Sequence, residues 1–371
     1  IYNYLKEMNK HRATDLYLTV GHPACLRIES TFKNITEHAI NQEQINEILG
    51  SILTARQFRV FESEMEINMP LHLGELGRFR VNVLKQRQMP ALVIRRIISE
   101  IPTFGESRLH PTREPLSMER QGLVLITGMT GSGKSTTLAA MIDYRNQSQN
   151  GHIITIEDPI EYFHDHKKSV VTQREIGVDT ESYSTAIKNA FRQRPDVILI
   201  GEILDREVME QSLNFSQTGH LCMATIHANN AYQTIDRVVN MFDKDFQNQA
   251  RLSLASNLRA IVSQRLIPSR TGDLIMAMEI MLNEGLVRKL ILDGKTSVIR
   301  EVMEQNKKSG MCTFDQSILD LYRQGFIDEE TAVKQSDQPG DMKIKIKQVE
   351  LGENGRMNKM DTSVLSLSDG D

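Results

Sequence analysis

Residues 123–135 read LVLITGMTGSGKS. The first five of them are apolar without alternation, which is typical of a strand buried on both faces of a parallel sheet. The remainder satisfies the pattern G-x-x-x-x-G-K-[ST], and the following TTLAAMIDYR at 136–145 predicts a helix. A strand, a glycine-rich turn and a helix in this order predict a phosphate-binding loop within an α/β domain.

The glycine-rich turn carries the residue types that bind a nucleotide. Its glycines allow the backbone to wrap closely, so that N–H groups point at phosphate oxygens. Lys134 is placed to bridge the β- and γ-phosphates, and Ser135 is placed to bind Mg²⁺. The residues alone therefore predict binding of ATP or GTP. The predicted nucleotide-binding residues are Gly128, Thr130, Gly131, Ser132, Gly133, Lys134, Ser135 and Thr136.

Two further apolar runs end near carboxylates. Residues 152–156 (HIITI) lead to Glu157 and Glu161. Residues 197–200 (VILI) lead to Glu202, in the manner of a Walker B strand. Parallel strands end at the sheet edge where ligands bind, so these acids are candidates for holding Mg²⁺ and activating water. A lone acid at a strand end is usually only solvated, but two beside a phosphate loop favour catalysis.

Histidines and arginines supply further candidates. His220 and His227 flank a weaker apolar run (LCMATI), and a neutral imidazole there could sense the γ-phosphate. The alternative for each is a structural histidine. Arg78 and Arg80 alternate with apolar residues on a predicted strand, so both face one side of it. A guanidinium pair aimed at nucleotide and a solvated sheet face are equally good interpretations, and Arg95 is a weaker candidate of the same kind.

The pattern of the chain changes near residue 118. The part before it contains strand signals at 15–20, 79–84 and 91–98 and a helical stripe at 42–61, which predict a small antiparallel α+β domain over 1–100. The stretch 101–117, with three prolines and a glycine, predicts a partly extended linker. Buried apolar runs predict an α/β core over 118–345, ending in helical patterns at 311–323 and 328–334.

The C-terminal stretch is polar. Residues 346–371 are expected to lack fixed structure. The alternating segment MKIKIK at 342–347 predicts an edge strand or a solvated stripe, with partner binding as the other possibility.

Composition excludes several classes of protein. The 371 residues carry a net charge of -4, and 40% are hydrophobic. No basic field attracts nucleic acid, and no apolar run approaches the ~18 residues of a membrane span. The three cysteines (Cys25, Cys222 and Cys312) are far apart, which argues against a disulfide scaffold or a Cys-x-x-Cys zinc site and favours a reducing compartment.

Together these motifs resemble a known family. GMTGSGKSTTL at 128–138, ITIEDPIEY at 154–162, PDVILIGE at 195–202 and TGHLCMATIHANNA at 218–231 are similar to the type IV pilus retraction ATPases, the PilT/PilU family of the secretion ATPase superfamily. The likeness covers roughly residues 1–347. The segments at 143–162 and 336–347 (SDQPGDMKIKIK) are PilU-like.

The resemblance implies a fold, an activity and partners. The fold is a PAS-like α+β N-terminal domain followed by a RecA-like P-loop core with a helical C-terminal part. The activity is Mg²⁺-dependent ATP hydrolysis by a homo-hexamer that powers pilus retraction and twitching motility. The implied partners are a PilT-like retraction ATPase and an inner-membrane pilus platform protein, and the implied location is cytoplasmic, peripheral at the inner-membrane pilus base.

The resemblance also implies a role for each candidate residue. Glu157 and Glu161 match the acidic box, with Glu161 the general base, and Glu202 is an atypical Walker B acid that binds Mg²⁺. His220 and His227 match a histidine box. Three arginines match those that approach the nucleotide across the ring: Arg78, Arg80 and Arg95.

Three positions depart from the family pattern. Leu204 stands where arginine is expected, Met129 where proline or alanine is usual, and Arg194 where an acidic or small residue is usual. The intact P-loop and acids predict that activity is retained.

Three other functions compete with an autonomous motor. An accessory subunit could dock on a PilT-like hexamer and add force without driving retraction alone. An assembly or secretion ATPase is disfavoured because such proteins commonly carry a four-cysteine zinc module. A nucleic-acid translocase is disfavoured by the acidic net charge and the lack of an aromatic–basic patch.

Overall fold

A computed structural model describes residues 1–28, 31–97, 101 and 113–364 of the chain. The chain divides into two units. The first unit is Ile1–Glu100 together with Glu161–Phe163, and the second is Ile101–Ile160 together with His164–Asp371.

The first unit is an antiparallel sheet with helices. Its strands are β1 (Asp15–Thr19), β2 (Cys25–Ile28), β3 (Thr31–Asn34), β4 (Glu66–His72), β5 (Arg78–Gln86) and β6 (Met89–Ile97), and its helices are α1 (Tyr2–Lys10), α2 (Gln42–Ile52) and α3 (Ala55–Glu64). Among the described residues the strand order is β3-β2-β1-β6-β5-β4. The antiparallel sheet and its three predicted strands are confirmed, with β5 and β6 forming a hairpin.

The apolar stripe at 42–61 is helical, but it forms two helices rather than one. Thr54 separates them because its side chain accepts from the Gln57 backbone N–H while the Gln57 side chain accepts from the Thr54 N–H. This capping box begins a new helix at Ala55. Both helices bury apolar faces in the core of the unit, which also contains Phe79 and Val81.

The second unit is a seven-stranded sheet, within the described residues, flanked by helices. Its strands are β7 (Gly122–Gly128), β8 (Gly151–Glu157), β9 (Ser169–Glu175), β10 (Val197–Ile200), β11 (Leu221–Ile226), β12 (Leu258–Pro268) and β13 (Leu274–Leu282). Its helices are α4 (Arg113–Ser117), α5 (Lys134–Ser148), α6 (Tyr183–Ala190), α7 (Arg206–Gln217), α8 (Ala231–Asn240), α9 (Gln247–Asn257), α10 (Leu286–Leu292), α11 (Ile299–Gln305), α12 (Phe314–Arg323), α13 (Glu329–Gln335) and α14 (Pro339–Val364).

The phosphate-loop strand β7 lies in the middle of this sheet. The strand order is β13-β12-β7-β11-β10-β8-β9, and all neighbours are parallel except β12 and β13. Every residue of β7, β10 and β11 is buried, as expected for strands covered on both faces. The four apolar runs predicted as parallel strands are therefore confirmed, and β7, β8, β10 and β11 all end at one edge of the sheet.

The C-terminal helices pack on the β12–β13 hairpin in a small core of their own. This core contains Ile267, Ala277 and Phe314, together with Met342 and Ile346 of α14. The prediction for MKIKIK was wrong: the segment is helical because Met342 and Ile346, four residues apart, bury one helical face. The expected unstructured tail is likewise helical as far as Val364, and its last part, 365–371, lies outside the described residues.

The structure describes only part of the predicted linker. The end of the predicted linker forms the short helix α4, and the rest of it, apart from Ile101, lies outside the described residues. Within the described parts of the chain, no helix is long and apolar enough to cross a lipid bilayer.

Candidate active site

Three glycines of the loop between β7 and α5 adopt backbone conformations that other residues rarely adopt. Gly128, Gly131 and Gly133 have φ of 148°, 79° and 87°. A Cβ on Gly128 would lie 2.5 Å from the Gln264 carbonyl oxygen and would also collide with Ser132. The loop therefore closes tightly on β12, and its turn leads directly into the N-terminus of α5.

The loop carries an ammonium group and a buried hydroxyl. Lys134 Nζ donates to the carbonyl oxygens of Gly128 and Met129, each at 3.0 Å, which holds the ammonium at the loop mouth. Ser132 Oγ is buried and makes no hydrogen bond to any described residue. A buried hydroxyl usually has a partner, so this atom fits a loop that binds an anionic group. The residues present thus fit a nucleotide.

Strand β12 supports the loop from beneath. Thr127 Oγ1 donates to Ser263 Oγ at 3.0 Å, and Gln264 Nε2 donates to Thr137 Oγ1 at 2.6 Å. These side chains are buried and link the strand before the loop and the helix after it to the same neighbour. The loop is consequently fixed on both sides by hydrogen bonds to β12, one from the preceding strand and one from the following helix.

The predicted acids Glu157 and Glu202 lie at the same sheet edge as the loop. Glu157 ends β8, and its Oε1 accepts from Thr155 Oγ1 at 2.6 Å. Glu202 follows β10, and its Oε1 lies 3.0 Å from His227 Nε2. His227 directly follows β11, whose last residue pairs with Thr127. The structure therefore brings one predicted acid into contact with one predicted histidine beside the phosphate loop.

A tyrosine that the sequence did not single out lies among these acids. Burial, reinforced by the charges of Asp158, Glu157 and Glu202, raises the pKa of Tyr183 far above its ordinary value. Its phenol therefore stays protonated and can act as a hydrogen-bond donor. No local sequence signal could have identified it, since Tyr183 begins α6 at a position like any other helix start.

A cavity of about 470 Å³ connects the loop with the first turns of α8. A volume of this order suits a small-molecule ligand. The lining residues are Gly128, Met129, Thr130, His227, Ala228, Asn229, Gln233 and Arg237.

His220 does not belong to this cluster within the chain. It precedes β11, and its carbonyl accepts from the Gly122 N–H at the beginning of β7. Six strand residues at about 3.3 Å each place it roughly 20 Å from the carboxyl edge. There its Nδ1 lies 3.0 Å from Thr218 Oγ1, and its ring packs on Phe215. Of the two histidines that flank this strand, the structure therefore brings only His227 to the edge where the phosphate loop lies, because the whole length of β11 separates it from His220.

The other predicted site residues belong to the first unit. Arg78 and Arg80 alternate with buried Phe79 and Val81 on β5, so they share a face as predicted. The Arg78 guanidinium stacks on Phe163, and Glu161 belongs to the same segment of this unit. Arg95 Nε is 2.8 Å from Asp15 Oδ1, in an ion pair across β1 and β6.

The departures from the family pattern lie on the surface or at turns. The Met129 side chain is 72% exposed and that of Leu204 is 62% exposed. Arg194 has φ of 49°, in the left-handed region, where it ends a short helical turn. None of the three is required for packing of the core clusters.

Comparison with known proteins places this site in a family. The sequence model of the type II/IV secretion system proteins matches residues 62–312. The type IV pilus ATPase PilU of Pseudomonas aeruginosa is 41% identical over 92% of this chain and 90% of its own length. The chain belongs to the PilT/PilU family of secretion ATPases.

Other members agree in sequence and fold. The pilus retraction ATPase PilT of Pseudomonas aeruginosa is 37% identical over 87% of this chain and 94% of its own length. The crystal structure of the pilus retraction motor PilT with bound ADP superposes with a TM-score of 0.87 and 38% identity, over 92% of this chain and 98% of that one. Family membership confirms the prediction of a P-loop ATPase. It also confirms that an antiparallel N-terminal domain is followed in the chain by a nucleotide-binding α/β core.

Proposed function

We propose that this chain is a subunit of a hexameric, Mg²⁺-dependent ATPase that powers retraction of a type IV pilus. The observation that carries the proposal is similarity to PilU and PilT over nearly the whole length of each. A P-loop alone would support only nucleotide binding. The proposed location is the cytoplasmic face of the inner membrane, on the pilus platform protein.

The phosphate loop and the acids have different roles in the proposed reaction. Backbone N–H groups of 128–135 bind phosphate oxygens, and Lys134 moves from the loop carbonyls to the β- and γ-phosphates. Ser135 and Glu202 would hold Mg²⁺, which supplies charge neutralisation when bound. No group of three or more His, Cys, Asp and Glu in the described parts of the chain is arranged to hold a metal ion. That agrees with Mg²⁺ being held by few protein ligands together with phosphates.

Hydrolysis requires a base and a group that senses the γ-phosphate. Glu161, as the general base, accepts a proton from the water that attacks the γ-phosphorus, and the bond to the ADP oxygen breaks. His227, which contacts Glu202, would respond to loss of the γ-phosphate. Arg78 and Arg80 stabilise charge on the nucleotide of a neighbouring subunit, and Arg95 is the weaker candidate for the same role.

The decisive experiment is the ATPase rate of the purified chain beside three variants. We expect Lys134→Ala and Glu161→Ala to lower kcat at least a hundredfold, since each removes a group that acts in the transition state. Glu47→Ala, an exposed acid on α2, is the matched control and should retain the wild-type rate. A wild-type rate no higher than that of Lys134→Ala would refute the proposal.

The exposed Leu204 favours one alternative, an accessory subunit that docks on a PilT-like hexamer. If that role is correct, ATPase activity will be weak alone and will rise when the PilT-like partner is added. Leu204→Arg should then raise the activity measured alone. Native mass spectrometry of each mixture distinguishes a homo-hexamer from a mixed assembly.

A further inference from the structure

A carboxyl group is buried in the second unit close to the phosphate loop. Glu279 lies on β13, opposite Ser263 of β12, and only 4% of it is exposed. A buried carboxyl group is costly unless its polar atoms are bound. Its Oε1 accepts from the backbone N–H of Ala231 at 2.7 Å. The carboxyl therefore binds a helix terminus rather than a neighbouring strand.

Ala231 is the first residue of α8, and Glu279 shares the binding of this terminus with Asn230. Asn230 is the N-cap, whose side chain accepts from Gln233 N at 3.0 Å and whose carbonyl accepts from Thr234 Oγ1 at 2.7 Å. The N–H of Ala231 is one of the first four of the helix and has no partner within it. Glu279 supplies that partner from a strand 48 positions away.

The turn that Glu279 binds directly continues the active-site loop. Residues 227–230 run from the end of β11 into α8, and His227 at their start contacts Glu202. Ala228 and Asn229 of this loop, together with Gln233 of α8, line the cavity beside the phosphate loop. Only residues 228–230 separate His227 from the first turn of α8, so this turn constrains His227 from one side while β11 constrains it from the other.

The electrostatic surroundings suit an acceptor at this place. Burial raises the pKa of Glu279 to about 7, while the Ala231 N–H and the charges of Arg265 and Arg300 favour the ionised form and Asp337 opposes it. The partial positive charge of the α8 N-terminus also favours a carboxylate.

We propose that Glu279 is a positioning residue: it holds the first turn of α8 and thereby keeps His227 against Glu202 at the nucleotide cavity. The inference rests on the proposed ATPase function. In this role Glu279 acts through the first turn of α8.

The test compares Glu279→Ala with Glu279→Gln. The alanine variant leaves the Ala231 N–H unbound, so kcat should fall at least tenfold while the affinity for a fluorescent ADP analogue changes less than about threefold. The glutamine variant keeps an oxygen acceptor and should recover most of kcat. Thr313→Ala, which removes the buried N-cap of α12, is the matched control and should lower the melting temperature without lowering kcat.

Amide hydrogen exchange distinguishes failure of this positioning proposal from failure of the proposed ATPase function. If wild-type protein shows no ATPase activity, the proposed function fails, but faster exchange at Ala231–Thr234 in Glu279→Ala still supports the positioning role. Wild-type kcat in Glu279→Ala, equal losses in the alanine and glutamine variants, or unchanged exchange at α8 would each overturn it.

Discussion

Gly128 and Gly272 each occupy a backbone region that favours glycine, Gly128 the more restrictive one, and they also differ in what surrounds them. Both have positive φ, 148° and 89°. A Cβ at Gly272 would meet nothing within 4 Å, whereas one at Gly128 would overlap the Gln264 carbonyl and Ser132. Gly272 therefore serves only the turn between β12 and β13, while Gly128 also sets the distance between the phosphate loop and the sheet.

This contrast predicts two different costs of adding a methyl group. Gly272→Ala should lower the free energy of unfolding by about 1 kcal/mol, the usual strain of a left-handed alanine. Gly128→Ala should cost clearly more and should weaken ADP binding at least tenfold, because the loop must move. Denaturant unfolding and ADP titration measure both, and equal effects of the two substitutions would show that the close contacts of Gly128 do not matter.

The raised pKa of Glu279 makes stability depend on pH. The folded value of about 7 exceeds the ordinary pKa of 4.5, so the folded state binds the proton more tightly than the unfolded state. The stabilising effect of the protonated form is complete below about pH 4.5 and is lost as the pH rises through 7. Above pH 7 the buried charge is a cost.

Glu279→Gln removes this titration. Relative to wild type, its free energy of unfolding should therefore improve by roughly 2 to 3 kcal/mol between pH 5 and pH 8. Chemical denaturation across this range tests it, since the other titrating groups cancel in the difference. A difference that does not vary with pH would show that the carboxyl group is not desolvated.

At the scale of elements, helix α2 contains a glycine with no structural reason to be one. Gly50 is exposed, has ordinary helical φ, and a Cβ there would meet nothing within 4 Å. Gly50→Ala should raise the free energy of unfolding by about 0.5 to 1 kcal/mol, since alanine loses less backbone freedom in a helix. Gly21→Ala, at a φ of 84° in equally open space, should have the opposite sign in the same thermal or denaturant assay.

The strands that the sequence predicted differ physically from those it missed. β7, β10 and β11 are runs of buried apolar residues, and their composition alone indicates strands. β12 contains the polar residues Ser263 and Gln264. They can be buried because their side chains form hydrogen bonds with Thr127 of β7 and Thr137 of α5. Such partners are far away in sequence, so no local pattern reveals that these polar residues lie inside.

The site likewise contains residues that a local sequence pattern identifies and residues that only their neighbours in space identify. The residues of the phosphate loop are neighbours in the sequence, so all of them could be predicted from the single stretch 128–136. The contact between His227 and Glu202 could be predicted only from the order of the strands in the sheet. The role of Glu279 could be proposed only from the hydrogen bond that joins β13 to α8. A role that depends on a neighbour in space becomes visible only with the fold.

At the scale of the whole molecule, the two units have separate cores. Phe79 and its neighbours form one core, and the strands around β7 form another. We expect scanning calorimetry to resolve two unfolding transitions, of which ADP at a hundredfold excess over its Kd stabilises one by about 2.7 kcal/mol. Phe79→Ala should shift the other, by about 3 to 5 kcal/mol. A single transition that both changes shift equally would contradict this expectation.

The central place of β7 has a consequence for synthesis on the ribosome. Its two neighbours, β11 and β12, are made long after it, and Thr127 is separated from its partner Ser263 by 136 positions. A nascent polypeptide can therefore display the complete GMTGSGKS stretch outside the exit tunnel while the loop still lacks the strands that shape it. We therefore expect tight nucleotide binding only once β12, which ends at Pro268, has emerged, so that ATP does not assist the early folding of its own binding site.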